Sequence, residues 1–318
     1  MTPGKKLDVV ERPAEELASL RSQIFELKSH MQAVIVAHNY QHPEVQDIAD
    51  FVGDSLELAR KSTQLEARAI IFCGVHFMAE TAAILNPDKS VYLAHGTAGC
   101  PMADMIDARE LRVWKSRYPS AAVVCYINTT AEVKAESDIC CTSANAVRIV
   151  ESLPRDEVLF VPDENLGRFV AARTTKKVMF HYYPGYCVTH ARLNAEQVRL
   201  AKSLHPEAPV VVHPECKPEV AALADAVLST SQMLRFCKDS PARSFLIGTE
   251  MGLIHRLRKE APDKEFFLIS NGLICPNMKK TTLDSVLDTM RSKKNLVSVP
   301  EETRTKAKRA VDRMLEIV

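Results

Sequence analysis

Ala33-Val34-Ile35-Val36-Ala37-His38-Asn39-Tyr40 is five apolar residues in a row that break into three polar or aromatic ones. A continuous apolar run of this length, too short for a helix, reads as a strand buried on both faces, which is the habit of parallel sheets. In parallel α/β units, ligands collect where strands end and loops lead into helices. The stretch therefore predicts both a fold class and the place where chemistry sits. It also recurs. Equivalent strand ends follow at Tyr126-Ile127-Asn128 and His213-Pro214-Glu215, in steps of 88 and 87 residues (38 to 126 to 213). The run Ala69-Ile70-Ile71-Phe72 returns as Val158-Leu159-Phe160-Val161 and Phe245-Leu246-Ile247-Gly248. The hydroxyl residues Ser55, Ser143 and Thr230 keep the period, and so do Cys100, Cys187 and Cys275. A period held by four landmarks marks structural repeats, each too small to close a core alone.

Working outward, each unit reads as strand, loop, helix, strand, helix, strand and linking helix. In the first unit, Glu44–Val52 and Leu56–Gln64 are helical in pattern, Met78–Leu85 is a helix stopped by Asn86-Pro87, and Val91–Ala94 is the strand leading to Cys100. Linking helices are predicted over Met105–Tyr118, Ala195–His205 and Asp284–Lys293, with a further helix over Glu15–His30 and a charged one after Pro300. The expected fold is α/β: three pseudo-threefold-related, three-layer α/β/α lobes with parallel sheets, placed around a central metal cluster if their equivalent ends converge on one axis. The expected boundaries are 1–101, 102–188 and 189–276, with residues 277–318 as C-terminal helices packing back on the body.

The chain has 318 residues, 46% hydrophobic and 25% charged, with a formal net charge of +1. Interspersed charges of both signs argue against a nucleic-acid groove and against a polybasic membrane surface. The longest apolar runs are strand-sized, so no membrane span is expected. The N-terminus carries Lys5, Lys6, Asp8, Glu11 and Arg12 and has no apolar secretory core, which reads as cytosolic, that is cytoplasmic.

Nine cysteines, an odd number without an export signal, do not suit a disulfide framework. Cys73 and Cys125 fall in apolar strands, Cys237 in a helical stretch, Cys140 and Cys141 before a helix, and Cys216 after a strand end. All six read as small packed hydrophobes. Cys100, Cys187 and Cys275 differ, because each follows a strand and a glycine-bearing loop. If the repeats share an axis, three thiolates meet on it. Soft ligands of this kind suit zinc, copper(I) or iron–sulfur. Closed zinc sites favour four ligands with close C-x-x-C pairs, and no such pair occurs. A 4Fe–4S cluster held by three cysteines would keep one iron open as a Lewis acid. His190, three residues beyond Cys187, is either a fourth ligand or a residue facing the substrate.

His38, Asn39 and Tyr40, Tyr126 and Asn128, and His213 and Glu215 then line one shared pocket. Ser55, Ser143 and Thr230 read as helix N-caps. Converging, however, three hydroxyls at helix N-termini suit a ligand with three anionic groups, such as two carboxylates and a phosphate.

At these residues the chain resembles the quinolinate synthase family of de novo NAD biosynthesis. The matching segments include Ala37-His38-Asn39-Tyr40-Gln41, Gly53-Asp54-Ser55, His76-Phe77-Met78-Ala79-Glu80-Thr81, Cys141-Thr142-Ser143-Ala144-Asn145-Ala146, Pro184-Gly185-Tyr186-Cys187, His213-Pro214-Glu215-Cys216, Ser229-Thr230-Ser231-Gln232-Met233, Gly248-Thr249-Glu250 and Cys275-Pro276-Asn277-Met278-Lys279. They lie in order over roughly residues 33 to 285. The resemblance implies a 4Fe–4S cluster on Cys100, Cys187 and Cys275, with one open iron. It implies condensation of iminoaspartate with dihydroxyacetone phosphate to quinolinate, releasing phosphate and two waters. It also implies functional coupling to an enzyme that produces iminoaspartate. Family substrate contacts fall on His38, Ser55, Tyr126, Ile127, Asn128, Ser143, His213, Pro214, Glu215 and Thr230, with His190 also lining the site. Tyr40, Glu215 and one of His190 or His213 are the candidates for proton transfer. Some members place further cysteines three and six residues before the third ligand. Here those positions are Gly272 and Ile269, so no redox switch is expected there.

Two other readings stand beside this one. A radical enzyme of the diphthamide-synthesis type also binds a cluster through one cysteine from each of three lobes and cleaves S-adenosylmethionine. A non-catalytic metal sensor or phosphate-binding module would hold a closed metal.

Overall fold

The structure is a computed structural model that describes residues 13–317; the charged N-terminal residues up to Arg12 lie outside the described residues. A first helix, α1 (Ala14–His30), precedes β1 (Ala33–His38), α2 (Pro43–Ile48), β2 (Phe51–Gly53), α3 (Ser55–Thr63), β3 (Ala69–Cys73), α4 (His76–Leu85) and β4 (Ser90–Leu93). The second run is α5 (Ala108–Arg117), β5 (Ala122–Tyr126), α6 (Ala131–Ala135), β6 (Ile139–Cys141), α7 (Ala146–Ser152), β7 (Glu157–Val161), α8 (Glu164–Ala171) and β8 (Lys177–Phe180). The third is α9 (Ala195–Leu204), β9 (Val210–Val212), α10 (Pro218–Ala221), β10 (Ala226–Val227), α11 (Thr230–Asp239), β11 (Ser244–Gly248), α12 (Leu253–Glu260) and β12 (Glu265–Leu268). Helices α13 (Leu283–Ser292) and α14 (Glu301–Glu316) complete the chain.

Among the described residues the strands form three four-stranded sheets with one shared order, β2-β1-β3-β4, β6-β5-β7-β8 and β10-β9-β11-β12. Every pairing within them is parallel. The expected α/β lobes with parallel sheets are therefore present. β3 and β5 are buried along their whole length, as the apolar runs required.

The repeat extends to side-chain hydrogen bonds. Asp50, Asp138 and Asp225, again 88 and 87 apart, each turn a carboxylate onto the first strand of their own lobe. The partners are the backbone N–H groups of Ile35 (2.8 Å), Val123 (2.8 Å) and Val210 (2.7 Å). The linking helices α5, α9 and α13 open with reciprocal caps at Asp107, Asn194 and Thr282, in steps of 87 and 88. Each such cap contributes about 1 kcal/mol.

Three readings of local structure are corrected. The helix expected over Glu44–Val52 stops at Ile48, and Phe51–Gly53 is the edge strand β2. Each lobe thus has four strands rather than three, the extra one being two or three residues long and too short to show a period. The helix expected from Met105 begins at Ala108, because the Asp107 carboxylate accepts from Glu110 N at 2.7 Å and fixes the start there. Cys140 and Cys141 lie within β6 rather than before a helix.

The last segment covers exposed backbone. Leu93 N donates to Asn295 O (3.0 Å) and Val297 N to Val91 O (2.8 Å), so 295–297 pairs with the edge of β4. Ala310, Val311 and Met314 of α14 pack into the main hydrophobic cluster with Cys140 and Cys141. No helix among the described residues is long and apolar enough to cross a membrane.

Candidate active site

The carboxyl ends of all three sheets border one cavity of about 110 Å³. Cys100, Cys187 and Cys275 line it together with His38, Tyr40, Ser55, Tyr126, Asn128, Ser143, His190, His213, Glu215 and Thr230. Two residues implied by resemblance face elsewhere. Ile127 is buried in the core and lines a small side cavity, and Pro214 borders an outer groove between α8 and α10.

Each cysteine loop hangs from the same hydrogen bond. The first residue after the β3, β7 and β11 turns donates its N–H to a carbonyl two residues before the cysteine. These bonds are His76 N to Ala98 O (2.8 Å), Glu164 N to Gly185 O (2.8 Å) and Met251 N to Leu273 O (2.9 Å). Donors and acceptors both keep the repeat spacing. Gly185 also donates to Pro162 O at 2.7 Å, and a Cβ there would come within 3.0 Å of that carbonyl, so the close approach requires glycine. In the third lobe the Glu250 carboxylate, with no exposed surface, accepts from Cys275 N at 3.1 Å and pairs with Lys279 Nζ at 3.0 Å. Lys279 Nζ also donates to Tyr40 O at 2.5 Å, tying the loop of the third lobe to the strand end of the first. Asp163, the equivalent of Glu250 one repeat earlier, caps α8 through Leu166 N (2.7 Å) and lies against the Cys187 backbone.

Burial pushes all three thiols up, Cys100 to about 12, Cys187 well above its ordinary value, and Cys275 upward. They fit a metal by donor type, by equivalence and by their shared cavity. Ligands about 2.3 Å from a single tetrahedral zinc are separated by roughly 3.8 Å. Among the described residues, the set of metal-capable atoms lying within 4.8 Å of one another is Cys187, His190 and Glu215. At least one pair among the three sulfurs therefore lies farther apart than 4.8 Å. Asn128 Oδ1 lines the same cavity as a buried oxygen without a hydrogen-bond partner, and the Thr189 hydroxyl lies against the Cys275 thiol.

Beside the thiols runs a continuous hydrogen-bonded chain. Tyr40 Oη lies 2.6 Å from Thr249 Oγ1, and Thr249 Oγ1 lies 2.9 Å from His190 Nε2. His190 Nδ1 lies 2.8 Å from Glu215 Oε2 and 3.2 Å from Cys187 Sγ, and Tyr126 Oη donates to Glu215 Oε1 at 2.6 Å. A carboxylate only accepts, so His190 carries its proton on Nδ1. Its Nε2 then accepts from Thr249, and Thr249 accepts from Tyr40. Burial raises the Glu215 carboxyl, but the His213 ring, the His190 ring and the Tyr126 hydroxyl outweigh it and hold the group below its ordinary value. Burial and the Glu215 charge push both Tyr40 and Tyr126 well up, so both keep their protons. The chain joins two phenols to one carboxylate through one imidazole.

His38 and His213 occupy equivalent strand ends and share a local fold. The backbone N–H two residues on donates to Nδ1 in each, Tyr40 N at 3.2 Å and Glu215 N at 3.3 Å. That leaves the proton on Nε2. Burial lowers each ring to about 3, so both stay neutral N–H donors. His213 Nε2 meets Ser143 Oγ at 3.2 Å.

The three hydroxyl residues are not N-caps, and their single-residue reading is corrected. Asp54 caps α3 and Ser229 caps α11, leaving Ser55 and Thr230 as first helical residues, while Ser143 lies in the turn before α7. With capping supplied by neighbours, these hydroxyls are available to the cavity. Thr249, Glu250 and Lys279 were quoted above only as parts of matching segments. Glu250 and Asp163 could have been found by the 87-residue step between two acids at third-strand ends.

The quinolinate synthetase A protein family matches residues 22–316 of the chain. Quinolinate synthase of Dehalococcoides mccartyi (strain CBDB1) is 58% identical over 296 residues, covering 93% of this chain and 97% of the relative. The chain belongs to the quinolinate synthase family. Quinolinate synthases of Methanoregula boonei (54% identical over 303 residues, 95% of this chain and 100% of the relative) and Thermodesulfovibrio yellowstonii (52% over 310 residues, 98% and 100%) are similar along their full length. Membership in the quinolinate synthase family makes this an enzyme of NAD biosynthesis, and neither the radical-enzyme nor the sensor reading is favoured.

Proposed function

We propose that the chain condenses iminoaspartate with dihydroxyacetone phosphate to give quinolinate, releasing phosphate and two waters. In this reading Cys100, Cys187 and Cys275 hold a 4Fe–4S cluster, one cysteine closing each lobe at the boundaries 1–101, 102–188 and 189–276, with 277–318 packing back. The observation that carries the proposal is the meeting of three repeat-equivalent thiols with the buried Glu215 carboxylate in one cavity. When bound, a cluster with one open iron supplies a Lewis acid for the loss of hydroxyl groups.

The chain's own residues account for the rest. Two carboxylates and a phosphate must be held. The neutral Nε2–H groups of His38 and His213, the Ser55, Ser143 and Thr230 hydroxyls, and the N-termini of α3 and α11 supply donors for them. Glu215, kept ionised, is the base that takes a carbon-bound proton in the enolisation steps. Tyr40 and Tyr126, kept protonated, donate to oxygen as it leaves or gathers charge. Thr249 and His190 bridge Tyr40 to Glu215 and fix the positions of both groups. Asn128 Oδ1, without a protein partner, is available to a substrate N–H or O–H. Iminoaspartate hydrolyses in water, so an enzyme producing it is the expected functional neighbour.

The test is anaerobic reconstitution followed by incubation with iminoaspartate and dihydroxyacetone phosphate. Quinolinate formation supports the proposal. Intact, cluster-loaded protein that forms none rejects it.

A further inference from the structure

Outside the cavity, the second lobe holds a thiol pair that the chemistry above does not use. β5 and β6 pair with Cys125 opposite Cys140, which puts both side chains on one face of the sheet and Cys141 on the other. The two sulfurs are 3.4 Å apart and wholly buried. Thr129 Oγ1 reaches Cys125 Sγ at 3.8 Å. Lys134, also without exposed surface, donates to the Thr129 carbonyl and places its ammonium near the pair. Burial pushes the Cys125 thiol up, but the Cys140 hydrogen bond and the Lys134 charge outweigh it and bring it to about 7. By contrast, burial takes the solitary thiols Cys73 and Cys237 to about 12. Packing alone needs neither a thiol partner nor a buried cation, and that cation also disfavours a metal between the two sulfurs.

We propose that Cys125 and Cys140 are an oxidation site, converted by a small peroxide to a disulfide between β5 and β6. The Cys125 thiolate attacks one peroxide oxygen, and the O–O bond breaks. Hydroxide leaves and takes a proton to become water, and Cys125 becomes a sulfenic acid, oxidised by two electrons. The Cys140 sulfur then attacks the Cys125 sulfur, the S–O bond breaks, and a second water leaves. Two thiols and one hydrogen peroxide give one disulfide and two waters. Paired strands sit about 4.8 Å apart, inside the range of about 4.4–6.8 Å between Cα atoms that a disulfide spans. Small side-chain rotations therefore close the bond. β6 is a three-residue edge strand under the C-terminal helix α14, and local opening of such an end admits a small oxidant. The bond forms directly behind the cavity, since Tyr126 follows Cys125 and Ser143 lies two residues beyond Cys141.

Cluster-loaded protein is treated anaerobically with one equivalent of hydrogen peroxide, alkylated in denaturant and digested with trypsin, which cuts after Lys134 between the two cysteines. The expected product joins peptide 118–134 to peptide 135–148 through Cys125 and Cys140. In Cys140→Ala the joined peptide is absent, and dimedone traps Cys125 as the sulfenic acid. In Lys134→Met trypsin no longer cuts between the two cysteines, so the bond is read as a loop within peptide 118–148, and it forms several-fold more slowly because the cation that favours the Cys125 thiolate is gone. In wild-type protein, whose fold is not in question, Cys125 and Cys140 remaining alkylatable after the other thiols have oxidised overturns the proposal. So does a Cys140–Cys141 bond, or a bond from Cys125 to Cys100, Cys187 or Cys275.

Discussion

Tyr126 Oη donates a 2.6 Å hydrogen bond to Glu215 Oε1, joining the first strand end of the second lobe to the first strand end of the third. Tyr126 matches His213 in the repeat and Glu215 matches Asn128, so the acid held ionised and the phenol held protonated each face a different side chain at the equivalent position of the other lobe. A threefold-repeated scaffold thus becomes an asymmetric site by varying side chains at matching points.

Glu215→Gln keeps the shape of that contact and removes the base. Quinolinate formation is expected to fall about 10²–10⁴-fold, the usual contribution of a positioned acid or base. Tyr126→Phe, which removes one donor to the carboxylate, should cost less and move the acid limb of the pH–rate profile upward, because Glu215 loses a hydrogen bond to its charged form. Steady-state assays across pH, on variants with matched iron content, check both. Wild-type rates in Glu215→Gln would remove it from the chemistry.

The Glu250–Lys279 pair makes a separate prediction about stability. Lys279→Met leaves a wholly buried carboxylate without its cation, and unfolding should become easier by about 3–5 kcal/mol. Adding Glu250→Gln should recover much of that loss, since the unpaired charge is then gone. Denaturant midpoints of the two variants decide it.

His38 links the site to acid stability. Burial, the largest influence, holds it neutral with a value near 3, against 6.5 for the free side chain; Glu215 raises it, while His213, Lys279 and Arg256 lower it. Between those values the unfolded chain binds a proton that the folded chain does not. The favourable contribution is therefore complete above pH 6.5 and is lost as pH falls toward 3. His38→Gln should flatten the stability–pH slope between pH 6 and 4 by about 1.4 kcal/mol per unit. Urea unfolding at several pH values measures this, and an unchanged slope would place the effect elsewhere.

Cys100→Ser, Cys187→Ser and Cys275→Ser should each prevent cluster assembly, while Cys237→Ser, deep in the third lobe, should not. Iron and sulfide analysis after identical reconstitution distinguishes them. A full cluster in any of the first three would overturn the ligand assignment.

Much of this was legible because buried parallel strands leave continuous apolar runs, and because one period repeats across strand ends, hydroxyls and thiols. β2, β6 and β10 were not legible, since two or three residues cannot display an alternation. The paired roles of Asp163 and Glu250, and the Thr249 bridge between Tyr40 and His190, depend on loops meeting across lobes. Nothing local in Gly248-Thr249-Glu250 distinguishes a bridging hydroxyl from a cap. Cys125 and Cys140 illustrate the same limit, because each alone reads as a packed apolar residue and only strand register brings them together.

The most direct measurement is the metal content and electronic spectrum of protein purified without oxygen. About four irons and four sulfides per chain are expected, with broad visible absorbance that bleaches in air together with activity and returns with it on reconstitution. One zinc per chain, or activity that persists after complete bleaching, would contradict the account.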